Sequence, residues 1–167
     1  MTVEPRLPPP QSSGSTASSL LVLASPAGDA AVRKVVAQFF DALLEESADG
    51  LDGVLASQAW LDGSSGRQPA RATLRARFTQ LDYGALRGVM LYRPSELEIY
   101  AGDAARALDP LRAVPGDLAD GDVFVRAHLS VAHAGKARLF SDQMTFALRA
   151  TGGGLRITRI GENTAVP

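Results

Sequence analysis

Residues 121–149 read GDVFVRAHLSVAHAGKARLFSDQMTFALR, and the fold is decided there. Val123, Val125, Ala127 and Leu129 alternate with Phe124, Arg126, His128 and Ser130. Beyond Ala134-Gly135, Phe140, Asp142, Met144, Phe146 and Leu148 share one face of a second alternating run. A period of two marks strands whose two faces meet different surroundings. The stretch therefore reads as a hairpin of two strands, near 122–132 and 138–149. Pairing His133 with Lys136 sets its register. Leu129 then faces Phe140, Val125 faces Met144 and Val123 faces Phe146, and a slip of one residue would undo every match. Gly152-Gly153 makes the next turn, because glycine tolerates positive φ, and a third strand covers 155–161. In that strand Arg159 and Ile160 cannot both face the core without a bulge.

Upstream the period changes to that of a helix. Asp29 is a suitable N-cap. Val32, Val35, Val36, Phe39, Phe40, Leu43 and Leu44 follow at helical spacing, while Lys34, Gln38, Asp41 and Glu45 gather opposite. Gly50 closes this segment, and a short second helix fits 51–57. Residues 62–69 read as a loop built on Asp62-Gly63. A third helix follows with Pro69 in its first turn, burying Ala70, Leu74, Phe78 and Leu81. A half-exposed strand near 96–100 leads to a long irregular connection over 102–121, with a helical turn at 104–108. Helices first and an antiparallel sheet after is an α+β order. The helices are expected to pack on the apolar face of a curved, mainly antiparallel sheet. This forms one domain over 29–167, behind a Pro/Ser/Gly-rich tail at 1–28 that buries too little apolar surface to order itself.

Composition excludes several kinds of chemistry. The 167 residues carry no cysteine and a net charge of -1. Thiol catalysis and disulfides are thereby removed, and nothing points to nucleic acid. Two histidines, His128 and His133, do not make a His-rich metal site. Neither a metal nor an organic cofactor is expected. No apolar run approaches the roughly 20 residues of a membrane helix, so no integral membrane segment is expected. A cytoplasmic location is the expectation, with export by a degenerate or missing N-terminal segment left open. Arginine outnumbers lysine fifteen to two, which suggests a GC-rich bacterial genome.

The order of elements resembles the nuclear transport factor 2-like superfamily, which includes ketosteroid isomerases and polyketide-cyclase (SnoaL-like) proteins. The resemblance rests on residues 48–55, the Asp62-Gly63 loop, the helix from Arg71 to Phe78, residues 121–126, the run Asp142-Gln143-Met144-Thr145-Phe146, and Leu155-Arg156-Ile157. It spans about residues 29 to 162. It implies a cone of three helices over a strongly bent sheet, a pocket at the open end, and frequent homodimers. The fold hosts enzymes, binders and scaffolds alike, so it implies no activity.

Several residues are candidates for chemistry. Asp142 shares its strand face with apolar residues and, in the proposed register, faces Ala127. A dry carboxyl there would be held neutral and could donate a hydrogen bond, as in ketosteroid isomerase, a known worked case of that device. The alternative is a structural acid paired with Arg159. Asp62 stands where the resemblance puts a proton-abstracting acid, with Trp60 as a wall; the alternative is an ordinary turn aspartate. Phe39 occupies the position of the isomerases' oxyanion tyrosine and cannot donate, a loss worth on the order of 3 kcal/mol in the transition state. Phe39, Trp60, Val125, Ala127, Phe140, Met144 and Arg159 would line the pocket. Tyr83, Tyr92 and Tyr100 read as half-buried structural tyrosines. His128 falls on the outer sheet surface, and Arg67, Arg71, Arg75 and Arg77 read as a solvated basic face.

Three readings follow. The first is a non-catalytic domain binding a small apolar ligand or a partner in an apolar pocket; a cone filled by its own side chains would sink the ligand version. The second is an isomerase, dehydratase or cyclase with Asp62 as base and protonated Asp142 as oxyanion donor. The third is an interaction module that dimerises through an outer sheet face carrying Phe124 and His128.

Overall fold

A computed structural model describes residues 28–106, 115, 118–163 and 166. Of the expected tail, all but Gly28 lies outside the described residues. Helix α1 (Asp29–Leu44) buries Val32, Val35, Val36, Phe39, Phe40 and Leu43, as its periodicity predicts. Its N-cap is Gly28, not Asp29. Asp29 sits in the first turn, where its negative charge suits the helix dipole, and accepts a bond from Arg33 at 2.8 Å. The helix ends well before Gly50, at Leu44, and Glu46 with a φ of 52° turns the chain away two residues later. Gly50 instead lies inside α2 (Ala48–Val54), which Ser47 caps by accepting the Gly50 N–H at 2.9 Å. A Cβ at Gly50 would stand 2.9 Å from that of Ala42, so glycine there lets the two helices cross closely.

The expected helix to 57 and loop from 62 are both corrected. Strand β1 (Leu55–Gly63) begins directly after α2 and turns through Ser64-Ser65 into β2 (Gly66–Pro69). The sequence of β1 lacks β-branched residues, and its register is broken between Leu55 and Trp60, so alternation does not betray it. Helix α3 (Ala70–Gln80) buries Ala70, Leu74 and Arg77, with Phe78 partly buried. Two short 3-10 turns lead to β3 (Glu98–Ala101) and α4 (Gly102–Arg106), which includes the start of the expected helical turn; residues 107 and 108 lie outside the described residues. There follow β4 (Val123–His128), the two-residue ribbon β5 (His133–Ala134) and β6 (Ala137–Arg138), then β7 (Gln143–Thr151) and β8 (Gly154–Glu162).

The six-stranded sheet runs β2-β1-β8-β7-β4-β3. Its pairs are antiparallel except β1 with β8. The architecture is α+β: α1, α2 and α3 on one face of a curved, mainly antiparallel sheet, with the short α4 against the other. The 121–149 hairpin exists, but its register is offset by two residues from the expected one. Ala127 faces Met144, Val125 faces Phe146 and Val123 faces Leu148. The turn is centred later, with His133 opposite Arg138. An even offset keeps the paired residues of β4 and β7 on their expected faces, which is why Val123, Val125, Ala127, Met144, Phe146 and Leu148 all point to the core. In β8 a bulge is present at Thr158, between the pairs Ala147–Arg159 and Leu148–Ile157. It lets Ile157 and Ile160 both face the core, each fully buried, while Arg159 turns to the outer face.

Two cores result. The larger lies between helices and sheet, where Phe39 packs on Phe146 at 5.2 Å, Phe40 on Phe140 at 6.0 Å and Tyr83 on Phe140 at 5.5 Å. Edge-to-face rings at such distances add to the burial of their area. The smaller core covers part of the outer face: Ala105, Leu118, Phe124 and Ala147, with Tyr100 against them. Phe124 is fully buried there, so it is not the exposed docking residue expected of it.

Candidate functional site

The interior of the cone is filled by the protein's own side chains. Phe39, Val125, Ala127, Phe140 and Met144, expected to line a pocket, are each no more than 2% exposed and pack within the larger core. The cavities described below are lined by other residues. Trp60 and Arg159, the other two expected lining residues, sit together on the outer face, paired across β1 and β8. The expectation of an apolar pocket inside the cone is therefore corrected: seven candidate lining residues divide between a packed core and the opposite sheet surface.

The two candidate acids are also separated. Asp142 precedes β7, at a bend that interrupts the alternation after Phe140, so its side chain turns outward. It is 68% exposed and accepts a bond from Arg138 at 3.0 Å, an i to i+4 pair across the bend. The expected contact with Ala127 does not form, because Ala127 pairs with Met144. The backbone carbonyl of Asp142 is occupied by the Leu129 N–H at 2.8 Å. In place of Asp142, Ser141 is fully buried.

Asp62 does enter a groove. The groove, of about 420 Å³, runs over the outer face of β1, β8, β7 and β4, with Arg67, Arg159, Thr145, Ala147 and Pro115 among its walls. The Asp62 carboxylate is clamped from both sides: Arg67 Nε donates to one oxygen at 2.9 Å and Arg159 Nε to the other at 2.5 Å. Arg159, foreseen as a partner for Asp142, serves Asp62 instead. Gly161 lies beneath, and a Cβ there would stand 2.3 Å from Thr145 Oγ1, so only glycine keeps this floor flat. A smaller recess of about 370 Å³ continues past Arg159 to Trp60, Asp122 and Arg149. Asp122, almost fully buried, takes two bonds from Arg149 at 2.7 and 2.8 Å and holds the Ala119 N–H at 2.9 Å, pinning the connection over the sheet.

Sequence reasoning missed a largely buried ion pair. Arg77, placed on a solvated face with its neighbours, turns inward and grips Glu162 with two parallel bonds of 2.6 and 3.0 Å. Their side chains are 10% and 3% exposed. Burial works against the guanidinium charge, but the Glu162 carboxylate outweighs it and raises the Arg77 pKa further. Tyr83 stands behind the pair; burial pushes its hydroxyl up to about 12, against the pull of Arg77. One signal was available: Arg77 lies three residues after Leu74 on the helix, the spacing of the buried face. Arg67, Arg71 and Arg75 stay partly or fully exposed, as expected.

At the sheet's far edge His128 is exposed, on the outer surface as expected, and its Nε2 meets Glu98 at 2.9 Å. Burial disfavours the Glu98 charge, yet bonds from His128 and Tyr100 and the nearby Arg126 outweigh it and hold its carboxyl below the usual range. Among the described residues no group of three or more His, Cys, Asp or Glu is placed to hold a metal ion, and no helix is long and apolar enough to cross a membrane.

No protein-family model matches the sequence, and the comparison with curated proteins finds no match. Solved structures do resemble it. A provisionally assigned aromatic ring hydroxylase from Novosphingobium aromaticivorans aligns with a TM-score of 0.50 at 18% identity, over 83% of this chain and 90% of that one. A nuclear transport factor 2-like protein of cystatin-like fold from the same organism gives 0.49 at 16%, over 79% and 78%. A provisionally assigned ketosteroid isomerase from Shewanella frigidimarina gives 0.46 at 15%, over 77% and 90%. At these identities the likeness concerns the fold alone.

Proposed function

We propose that this chain, which has the nuclear transport factor 2-like cone fold, is a non-catalytic binding domain for a small amphipathic molecule with an anionic end. The site proposed is the outer groove, not the interior of the cone. One observation carries the reading: the interior is filled, while the outer face holds a groove in which two arginines converge on one acid. Arg67 and Arg159 bring two guanidinium groups to the groove, beside the carboxylates of Asp62 and Glu162. A carboxylate entering beside Asp62 would share the two guanidinium groups, whose planar forks suit that geometry. Arg67 is the more adaptable, being half exposed and joined to Asp62 through Nε. Ala147 and Pro115 offer apolar contact to the rest of the ligand.

Calorimetric titration with straight-chain carboxylates from acetate to octanoate tests this. Affinity should grow with chain length, fall about tenfold in Arg67→Ala for one lost charged hydrogen bond, and be absent for matched alkylamines. Equal indifference to acids and amines at every length would refute it.

An isomerase, dehydratase or cyclase reading keeps Asp62 as its base, because Asp62 lies in a groove of suitable size. It has lost its proposed oxyanion donor, since Asp142 is exposed and paired with Arg138. Turnover of enolisable ketones that disappears in Asp62→Asn would revive it; turnover surviving that change would remove the base.

A further inference from the structure

We propose a second ligand site, for a neutral hydroxyl-rich molecule such as a sugar or polyol, in the cavity between the β1–β2 hairpin and α3. The cavity measures about 540 Å³, and its polar walls are Gln68, Thr73, Gln80, Ser64 and the Arg77–Glu162 pair. That pair is the reason to look here. Replacing a buried ion pair with apolar residues is often neutral or stabilising, so stability alone does not account for it. This one faces space rather than packed protein.

The chemistry of the walls selects the ligand. Arg77 spends one N–H on each Glu162 oxygen and turns toward Tyr83 behind. An ionised carboxylate has about four acceptor positions, so two remain on Glu162. The two charges cancel, and the other polar walls named are uncharged amides and hydroxyls. A charged ligand would therefore be left without a counter-ion, whereas hydroxyl groups can donate to Glu162 and exchange bonds with Gln68, Thr73 and Gln80. Gln68 and Thr73 already touch at 3.3 Å, a long bond that a ligand hydroxyl could replace. Glu162 and Gly63 also border the outer groove, so the ion pair is the partition between two separate recesses.

The test is calorimetric and ligand-observed NMR titration with methyl glucoside, methyl galactoside and myo-inositol. At least one should bind saturably. Thr73→Val and Gln80→Leu, both outside the packed core, should each weaken that binding by about tenfold for a lost hydrogen bond. Arg67→Ala, which removes a side chain lining the outer groove and not this cavity, should leave it unchanged. Absence of saturable binding by all three, binding indifferent to Thr73→Val and Gln80→Leu, or binding lost in Arg67→Ala would each overturn the proposal. None of these results depends on whether carboxylates occupy the groove.

Discussion

Replacing Arg77 by methionine is the most informative single perturbation. Glu162 would keep its place with a side chain 3% exposed and its bidentate partner gone. Breaking a buried pair from one side costs up to about 3–5 kcal/mol, because the remaining, largely buried charge loses its counter-ion. Total stabilities of about 5–15 kcal/mol put the variant near the edge of folding. An internal control is available on the same helix. Arg75 meets Asp52 at 2.8 Å, a distance close to that of the Arg77 pair, but the two side chains are 49% and 37% exposed. Arg75→Met should cost less than about 1 kcal/mol, since water already screens that pair. Urea denaturation followed by circular dichroism and by Trp60, the only tryptophan, measures both. The double variant Arg77→Met with Glu162→Leu should recover most of the loss, because an apolar pair of similar volume needs no counter-charge. The reasoning fails if Arg77→Met and Arg75→Met cost the same, or if the double variant is no better than the single one.

Phe39→Ala should cost about 3–5 kcal/mol, the range for removing a buried ring, and a loss below 1 kcal/mol in thermal unfolding would mean the interior is not packed. Gly161→Ala should destabilise by about 1–3 kcal/mol through its clash with Thr145 Oγ1, and Thr145→Ala should restore part of it. Ultraviolet titration should show Tyr83 resisting ionisation until near pH 12, and burial also raises Tyr92 above the ordinary value. The folded pKa of Tyr83 is raised, so the stability it contributes is complete below pH 10 and is lost as pH climbs toward 12. Glu98 has the opposite sign: its folded pKa is lowered, so its contribution is present above the unfolded value of 4.5 and disappears as pH falls through the folded one. Glu98→Gln should therefore flatten the acid limb of the stability profile, and an unchanged limb would contradict the assignment.

The fold was legible where periodicity was strong. Helix α1 and the faces of β4 and β7 follow from spacing alone, and the two-residue error in register left the inward row intact. Strand β1 was hidden because Leu-Ala-Ser-Gln-Ala-Trp carries neither β-branched residues nor clean alternation. The site was less legible for a different reason. Asp142 was placed by extending alternation through Phe140, but the bend at 140–142 resets it, and no residue type announces that bend. Arg159 was recognised as a partner for an acid, yet the identity of the acid depends on β1 lying beside β8. Arg77 was judged by its charge when its position beside Leu74 was the better guide.

The parallel ladder between β1 and β8 has a consequence for the order in which the chain can fold. Arg159 and Asp62 are 97 residues apart in sequence, and Arg77 and Glu162 are 85 apart. Contacts so distant form late, after most of the loop-closure entropy has been lost. The β1–β2 hairpin and the early helices can assemble during synthesis, but β1 and β7 each present an open edge until β8 arrives between them. Unpaired edges recruit other chains. The final nine-residue strand therefore seals two edges in one step and brings Glu162 to Arg77, so a nascent chain halted before Gly154 should be prone to aggregate.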